Sequence, residues 1–380
     1  MKYKVITSVL VILLFFRVSF QLLNNMESIF ARNYHNKYEH LYSNYYSSQY
    51  VKKDHPNIIP DNALEAFAGG IFLKGLNPIL IVHDQPPLGR YIISFSILLF
   101  DNVSTIPVFL HLLSVVGLLL ISKKIFRKFL PAVIPVGIFV SQSFFLNEMN
   151  VAPTLEPIQL PFIIFSLYFF IKGIEEKKDI PWFILSAIMV GFVISIRFFS
   201  LGVALVASMS SCILITERMR KKTIHFFLVL PLSILVLLLS YTKTIVSGYS
   251  ILQIFGIQKY MLLYHQSKFT LPLTVWDLLM FNRWHTWWGN RAISKDPEWS
   301  VFWPISTILS FLNIIGFSLK KFHLSISEKV LSFWIVWYMI LLSLGYSSTR
   351  YFLPLIPFLY MLGFAVLYKL FNKFRKSHDD

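Results

Sequence analysis

Apolar runs of about 20 residues recur along most of this chain, and they constrain its fold more than any other feature. An α-helix needs roughly 20 apolar residues to cross the roughly 30 Å hydrocarbon core of a bilayer. Lipid offers no partner to an unpaired backbone group, so helices are the expected spanning elements. With 56% hydrophobic and 14% charged residues, the composition also differs from that of ordinary water-soluble proteins. The sequence therefore predicts an all-α polytopic membrane protein.

Ten of these runs are predicted to span the membrane. The first follows Lys2 and Lys4, which is how a signal peptide or an anchoring first span begins. Two long polar stretches, 25–90 and 246–300, are left between the runs. Since no repeat or low-complexity linker divides the chain, we expect residues 1–380 to form one membrane domain. The predicted spans are 5–23, 106–122, 129–146, 155–172, 180–196, 199–216, 224–245, 301–319, 327–346 and 353–371.

The distribution of lysine and arginine predicts the orientation, because these residues are enriched in cytoplasmic loops. With ten spans, every basic cluster falls on the cytoplasmic side and both long polar stretches lie outside. The apolar run 88–100 is short, and counting it as an eleventh span would turn the first cluster outward. We therefore expect an interfacial or partly inserted helix there. The basic clusters lie at 123–128, 172–178, 218–222, 320–321 and 369–376.

Charge and cysteine content narrow the classes of function. The net charge of +16 does not indicate nucleic-acid binding, because the basic residues sit in short clusters between apolar runs. Cys212 lies inside an apolar run, so no disulfide framework is expected. The spacing of histidines and cysteines contains no zinc-ligand cluster, and no cofactor is indicated, although a divalent metal is left open. We expect a multi-pass protein of the plasma membrane.

The polar residues that stand out are concentrated on the predicted outer face. The first outer stretch reads DNALEAFAGGIFLKGLNPILIVHDQPPLGRY, from Asp61 through Asp84 to Arg90. Later outer turns carry Glu156 before a long span and Arg197 between two spans. Further candidates are Arg350 and Tyr351 before the last span, and His265, Trp287 and Trp288 in the second outer stretch.

The order of these motifs resembles the GT-C membrane glycosyltransferases, especially the branch of protein O-mannosyltransferases and lipid A aminoarabinose transferases. Those enzymes carry an acidic pair, a glycine-containing segment and a Pro-Pro-Leu-Gly-Lys sequence in the first outer loop. Asp61 matches the first acid, Asp84 matches the acid before the prolines, and residues 86–90 match the proline motif. Asn62 replaces the second acid, so no role of that acid is carried over.

Weaker matches extend the resemblance along the chain. Glu156 stands where the family has an acid before a long span, and Arg197 stands where it has a basic residue between two short spans. The sequence from Arg350 to Pro357 is similar to the family's Arg-Tyr-Leu-Leu-Pro-x-x-Pro motif. The second outer stretch, with His265 and its tryptophans, is loosely similar to the Tyr-His and Trp-rich loop of the mannosyltransferases.

The resemblance implies a glycosyltransferase that uses a sugar carried on a polyprenyl phosphate, with a lipid, glycan or protein hydroxyl as acceptor. Asp61 would accept the proton of the acceptor hydroxyl, which contributes typically 10²- to 10⁴-fold to such reactions. Direct attack at the anomeric carbon would invert its configuration. Arginine suits the donor phosphate because it stays charged and offers a planar fork of donors. Asp84 is predicted as a second catalytic acid. The predicted substrate-binding residues are Arg90, Glu156, Arg197, His265, Trp287, Trp288, Arg350 and Tyr351.

Simpler roles are open for the same residues. Asp61 could cap a helix, and Asp84 beside Pro86 could form a turn. Arg197 and Arg350 could be snorkelling anchors, the tryptophans could form an interfacial belt, and Glu65 could be a solvated residue. A transporter or channel, or an inactive relative acting as a scaffold, are the alternative functions. Paired ionisable residues in mid-span would favour the transporter, and the sequence shows no such acid.

Overall fold

The computed structural model describes residues 2–52, 54, 57–216, 220–266, 272–286, 292–319, 323–345 and 348–379. Helices dominate these residues, and the one sheet among them pairs Trp284–His285 (β1) with Ile293–Ser294 (β2). The prediction of an all-α fold is confirmed. The helices are α1 Lys2–Asn24, α2 Met26–Phe30, α3 Tyr34–Tyr46, α4 Asp61–Leu73, α5 Leu88–Phe100, α6 Thr105–Phe126, α7 Phe129–Val140, α8 Ser143–Asn150, α9 Leu155–Glu175, α10 Ile180–Ile196, α11 Ser200–Ile215, α12 Arg220–Val229, α13 Pro231–Ser240, α14 Thr242–Val246, α15 Ile251–Gln266, α16 Thr274–Phe281, α17 Phe302–Ser318, α18 Ile326–Ser343 and α19 Ile356–Asp379, with a 3₁₀ turn at Thr349–Phe352.

Each of the ten predicted spans overlaps one or more helices in the described part of the chain. Among the described residues, four helical stretches are long and apolar enough to cross a membrane, namely α6, α9, α12 with α13, and α18. The pair α7 and α8 would make a fifth if it counts as one span. Helices α10, α11 and α17 are apolar but have only 16 or 17 residues. The total of ten spans stays a prediction.

The predicted run 129–146 is not one straight helix, because α7 and α8 meet at an angle of 58°. The break falls at Ser141 and Gln142, which lie outside both helices. The side chain of Gln142 donates to the hydroxyl of Tyr360 at 2.5 Å and accepts from the indole of Trp303 at 3.1 Å. Bonds to two other helices therefore hold the bend.

Helix α9 forms the centre of the bundle, where it packs against α6, α10 and α18. Its buried side chains include Gln159, whose amide donates to the carbonyl of Val193 in α10 at 2.7 Å. A hydrogen bond of this kind satisfies polar groups that find no water inside the bundle. The first turn of α9 and the last turn of α10 are thereby held side by side.

The glycines of the first outer stretch allow α4 to pack closely on α3 and α5. A Cβ atom on Gly70 would lie 1.7 Å from the hydroxyl of Tyr34, and one on Gly69 would lie 2.6 Å from Ile93. In the same contact the hydroxyl of Ser94 donates to the carbonyl of Gly69 at 2.6 Å. The two glycines therefore fix the position of α4, whose first residue is Asp61.

Candidate active site

Four charged side chains from distant parts of the sequence meet at one end of the bundle. Arg350 lies between two carboxylates, with Nη1 2.5 Å from Asp61 Oδ2 and Nε 3.0 Å from Glu156 Oε1. Arg197 Nη1 lies 3.0 Å from the same Glu156 oxygen. We call these four residues the paired-arginine cluster. It brings together four of the residues that the sequence predicts for the site.

Glu156 is the centre of this cluster. It lies in the first turn of α9, where the helix dipole favours a negative charge, and its side chain is only 8% exposed. Although both arginines are 3.0 Å from Oε1, neither N–H is aligned for a hydrogen bond to that atom. The charge of Glu156 is the main reason that the pKa of Arg350 lies well above its usual value. Both arginines therefore stay cationic, and Arg350 also donates to Asp61 through Nη1.

A narrow cleft with a free volume of about 10 Å³ opens beside these charges. Its polar wall is formed by Glu156, Arg197 and Arg350, together with the ring of Tyr351. That ring lies 5.2 Å from the guanidinium carbon of Arg197 and 5.6 Å from that of Arg350, within the range of cation–π attraction. The rest of the lining is mostly apolar and also includes Gln159 and Tyr338. Its apolar residues are Leu160, Ile163, Leu201 and Pro354.

Asp61 stands at the edge of the cluster with its side chain 50% exposed. It is the first residue of α4, Pro60 precedes the helix, and no side chain caps the helix start. The carboxylate pairs with Arg350 instead of making the capping bond that a simple N-cap role requires. Asn62, which replaces the family's second acid, accepts a hydrogen bond from the N–H of the next residue at 2.9 Å.

Asp84 and Arg90 belong to a second cluster. Arg90 has no exposed surface, and its Nη2 lies 2.8 Å from Asp84 Oδ1. Nε and Nη2 bind the two oxygens of Glu65 at 2.8 and 3.0 Å, and Nη1 binds the carbonyl of Val82. Burial lowers the pKa of Arg90, but Glu65 and Asp84 outweigh this effect and raise it. Arg90 does not line the cleft, so its substrate-binding role remains a prediction.

Glu65 is the residue of this region that the sequence reasoning missed. The sequence left open a solvated role for Glu65, but its side chain is only 6% exposed and forms a two-pronged pair with Arg90. The available signal was the position of Glu65 one helical turn after Asp61, in a segment otherwise made of small and apolar residues.

Three predicted binding residues cannot be placed in the site. His265 lies in α15, but its side chain is outside the described part of the chain. Trp287 and Trp288 are also outside the described residues. Among the residues that are described, no group of three or more His, Cys, Asp or Glu side chains could hold a metal ion.

A comparison with protein families agrees with the resemblance that the motifs indicate. Residues 84–243 match the model of the dolichyl-phosphate-mannose-protein mannosyltransferase family. That segment contains Asp84, Arg90, Glu156 and Arg197 but not Asp61 or Arg350. No curated protein matches the chain significantly.

Solved membrane enzymes share the fold at low sequence identity. ArnT from Cupriavidus metallidurans in the apo state gives a TM-score of 0.52 at 15% identity, covering 81% of this chain and 55% of ArnT. ArnT bound to undecaprenyl phosphate gives 0.50 at 15% identity, covering 81% and 56%. The oligosaccharyltransferase AglB from Archaeoglobus fulgidus, in complex with an inhibitory peptide and a dolichol-phosphate, gives 0.52 at 13% identity, covering 78% and 43%.

These likenesses confirm a GT-C fold for an integral membrane protein. Together with the family match they confirm the resemblance to the protein O-mannosyltransferase and ArnT branch that the motifs predict. The chain spans about half the length of the solved proteins that it matches.

Proposed function

We propose that this protein is a glycosyltransferase that moves a sugar from a polyprenyl-phosphate donor to an acceptor hydroxyl. The observation that carries the proposal is the convergence of Arg197 and Arg350 on Glu156, beside Asp61 and a cleft with an apolar wall. The fold supports it, since solved proteins with this fold are recorded with undecaprenyl phosphate and with a dolichol-phosphate. The sugar is a hexose or a pentose, and the acceptor is a lipid, glycan or protein.

In this proposal the donor phosphate replaces the carboxylate of Asp61 as the ion-pair partner of Arg350. Charge-assisted bonds from a guanidinium fork to phosphate are among the strong hydrogen bonds of proteins. As the phosphate takes over Arg350, Asp61 loses its ion-pair partner and its half-exposed carboxylate becomes available to a hydroxyl group. Donor binding would therefore release Asp61 to act as the base and would place Arg350 on the leaving phosphate.

The transfer step then follows from the positions of these groups. The acceptor oxygen forms a bond to the anomeric carbon while the bond from that carbon to the phosphate oxygen breaks. The hydroxyl proton passes to Asp61, and the bonding electron pair leaves with the polyprenyl phosphate. Arg197 and Arg350 stabilise the charge that develops there, and single-step displacement inverts the anomeric carbon. Asp84 is retained as a second acid, held in place by Arg90.

We place this site on the non-cytoplasmic face of the plasma membrane. Helix α9 carries the site residue Glu156 in its first turn and runs for 21 residues, about 30 Å, to its other end. There Lys222, from one of the basic clusters, donates to the carbonyls of Ile174 and Glu176 at 2.5 and 2.8 Å. Because basic clusters favour the cytoplasmic side, the site at the opposite end of α9 is expected outside.

Removing the guanidinium of Arg350 should weaken donor binding. A hydrogen bond to a charged group contributes about 1.5–3 kcal/mol, so we expect Arg350→Ala to raise the Kd for polyprenyl phosphate roughly 10- to 150-fold. Arg350→Lys should recover only part of this loss, because an ammonium group lacks the planar fork. Binding of undecaprenyl phosphate to the purified protein measures the effect, and Arg32→Ala, at an exposed position, is the control. Unchanged Kd in Arg350→Ala and in Arg197→Ala would reduce both residues to membrane anchors.

A further inference from the structure

Gln85 connects the two charged clusters. Its side-chain oxygen Oε1 accepts the backbone N–H of Phe198 at 2.9 Å, and Phe198 follows Arg197 in the chain. Its backbone carbonyl accepts from Nη1 of Arg90 at 3.3 Å. The residue itself is only 8% exposed. Gln85 therefore contacts both the turn that carries Arg197 and the buried arginine of the second cluster.

Helix α4 closes the connection on the other side. Asp61 pairs with Arg350 in the paired-arginine cluster, and Glu65, one turn later on the same helix face, pairs with Arg90. The polar contacts thus form a closed ring, whose links are ion pairs, hydrogen bonds, the peptide bond between Arg197 and Phe198, and one turn of α4. In order, the ring runs through Asp61, Arg350, Glu156, Arg197, Phe198, Gln85, Arg90 and Glu65.

The turn that carries Arg197 is held at its backbone by the side chain of Gln85. Residues 197–199 separate α10 from α11 and lie outside both helices. The N–H of Arg197 still reaches the carbonyl of Val193 in α10 at 3.4 Å, whereas the part-buried N–H of Phe198 takes a side-chain acceptor. Gln85 supplies that acceptor from a segment fixed by Pro86 and Pro87 and by the buried Arg90. The 3₁₀ turn that carries Arg350 is held by other side chains, since the hydroxyl of Tyr338 donates to the carbonyl of Tyr351 at 2.7 Å and the hydroxyl of Thr349 donates to Asp296.

We propose that Gln85 is a positioning residue that sets the Arg197 guanidinium for the donor phosphate. This inference rests on the proposed function and extends it to a residue that does not line the cleft. A guanidinium that is already held in position stabilises the phosphate charge better than one that must first reorder. Loss of the Gln85 oxygen should therefore weaken the contribution of Arg197 to phosphate binding. Gln85→Met keeps the volume and removes the acceptor, whereas Gln85→Glu keeps an acceptor oxygen at the same reach.

A double-mutant cycle tests the proposal on the full chain. Gln85→Met should raise the Kd for undecaprenyl phosphate roughly tenfold, as expected for the loss of one part-buried hydrogen bond. Gln85→Glu should bind within about threefold of the wild type. The matched control is Gln49→Met, because Gln49 Oε1 also accepts a backbone N–H, that of Ile59 at 3.0 Å, in the same outer stretch but outside the ring. In an Arg197→Ala background, Gln85→Met should cause no further loss.

Two results would overturn the positioning role. One is binding by Gln85→Met that matches the Gln49→Met control, and the other is an equal loss with and without Arg197. If the wild type does not bind undecaprenyl phosphate, the proposed function fails, and melting temperatures of the same four cycle proteins without ligand decide the inference. Non-additive shifts for Gln85→Met and Arg197→Ala would support the coupling, and additive shifts would contradict it.

Discussion

Asp61→Asn should lower sugar transfer by roughly 10²- to 10⁴-fold, because it removes the proton acceptor while keeping the shape of the side chain. Expression and melting temperature should stay near wild type, since the side chain is half exposed and caps no helix. Binding of polyprenyl phosphate should be retained or become tighter, because the carboxylate no longer competes for Arg350. A loss confined to turnover identifies an interaction made in the transition state.

Two further variants make this prediction specific. Asp101→Asn is the matched control, because Asp101 also lies in the first half of the chain and pairs with a basic side chain, that of His35, away from the cleft. It should leave transfer near wild type. Asp84→Asn should lower turnover if Asp84 acts as a second acid and should leave it unchanged if Asp84 only holds Arg90. Wild-type transfer by Asp61→Asn would remove the proposed base.

Arg90→Leu should be the most destabilising change in the outer stretch. It leaves the carboxylates of Glu65 and Asp84 largely buried without their shared cation. Breaking a buried pair by removing one partner typically costs about 3–5 kcal/mol of the free energy of unfolding. Thermal or denaturant unfolding of the purified protein in detergent measures this loss.

A double variant can show whether Arg90→Leu loses stability through unpaired carboxylates or through a packing defect. Arg90→Leu combined with Glu65→Leu should recover part of the stability, because it also removes the more deeply buried carboxylate. Arg32→Leu, at an exposed position, should change the free energy of unfolding by less than about 0.5 kcal/mol. A melting temperature of Arg90→Leu equal to that of the wild type would mean that the Glu65 and Asp84 pairs contribute nothing to folding.

Much of the architecture could be predicted because each membrane-spanning helix requires a long run of apolar residues. The apolar runs predicted the positions of the helices, and the short length of 88–100 agrees with the 13-residue helix α5. Asp61, Glu156, Arg197 and Arg350 all stand at edges of apolar segments on the predicted outer side. Their shared side followed from the positive-inside rule, and the structure brings the four side chains into contact.

Hydropathy could not predict which polar side chains pair with one another around the candidate site. Hydropathy does not show that Glu65 turns inward to a buried arginine, since this depends on the packing that Gly69 and Gly70 allow. It does not show that Gln85 reaches Phe198, which is 113 residues away in the chain. The bend at Gln142 was missed for the same reason, because its bonds go to distant helices.

The release of polyprenyl phosphate from a sugar-loaded donor is the reaction that tests the central claim most directly. The full chain, purified in detergent, would be incubated with a panel of polyprenyl-phosphate hexoses and pentoses and with membrane extracts as acceptor source. We predict that at least one donor yields free polyprenyl phosphate together with a glycosylated acceptor, and that Asp61→Asn abolishes both products. Folded wild-type protein that releases no polyprenyl phosphate from any donor of the panel would contradict a glycosyltransferase function.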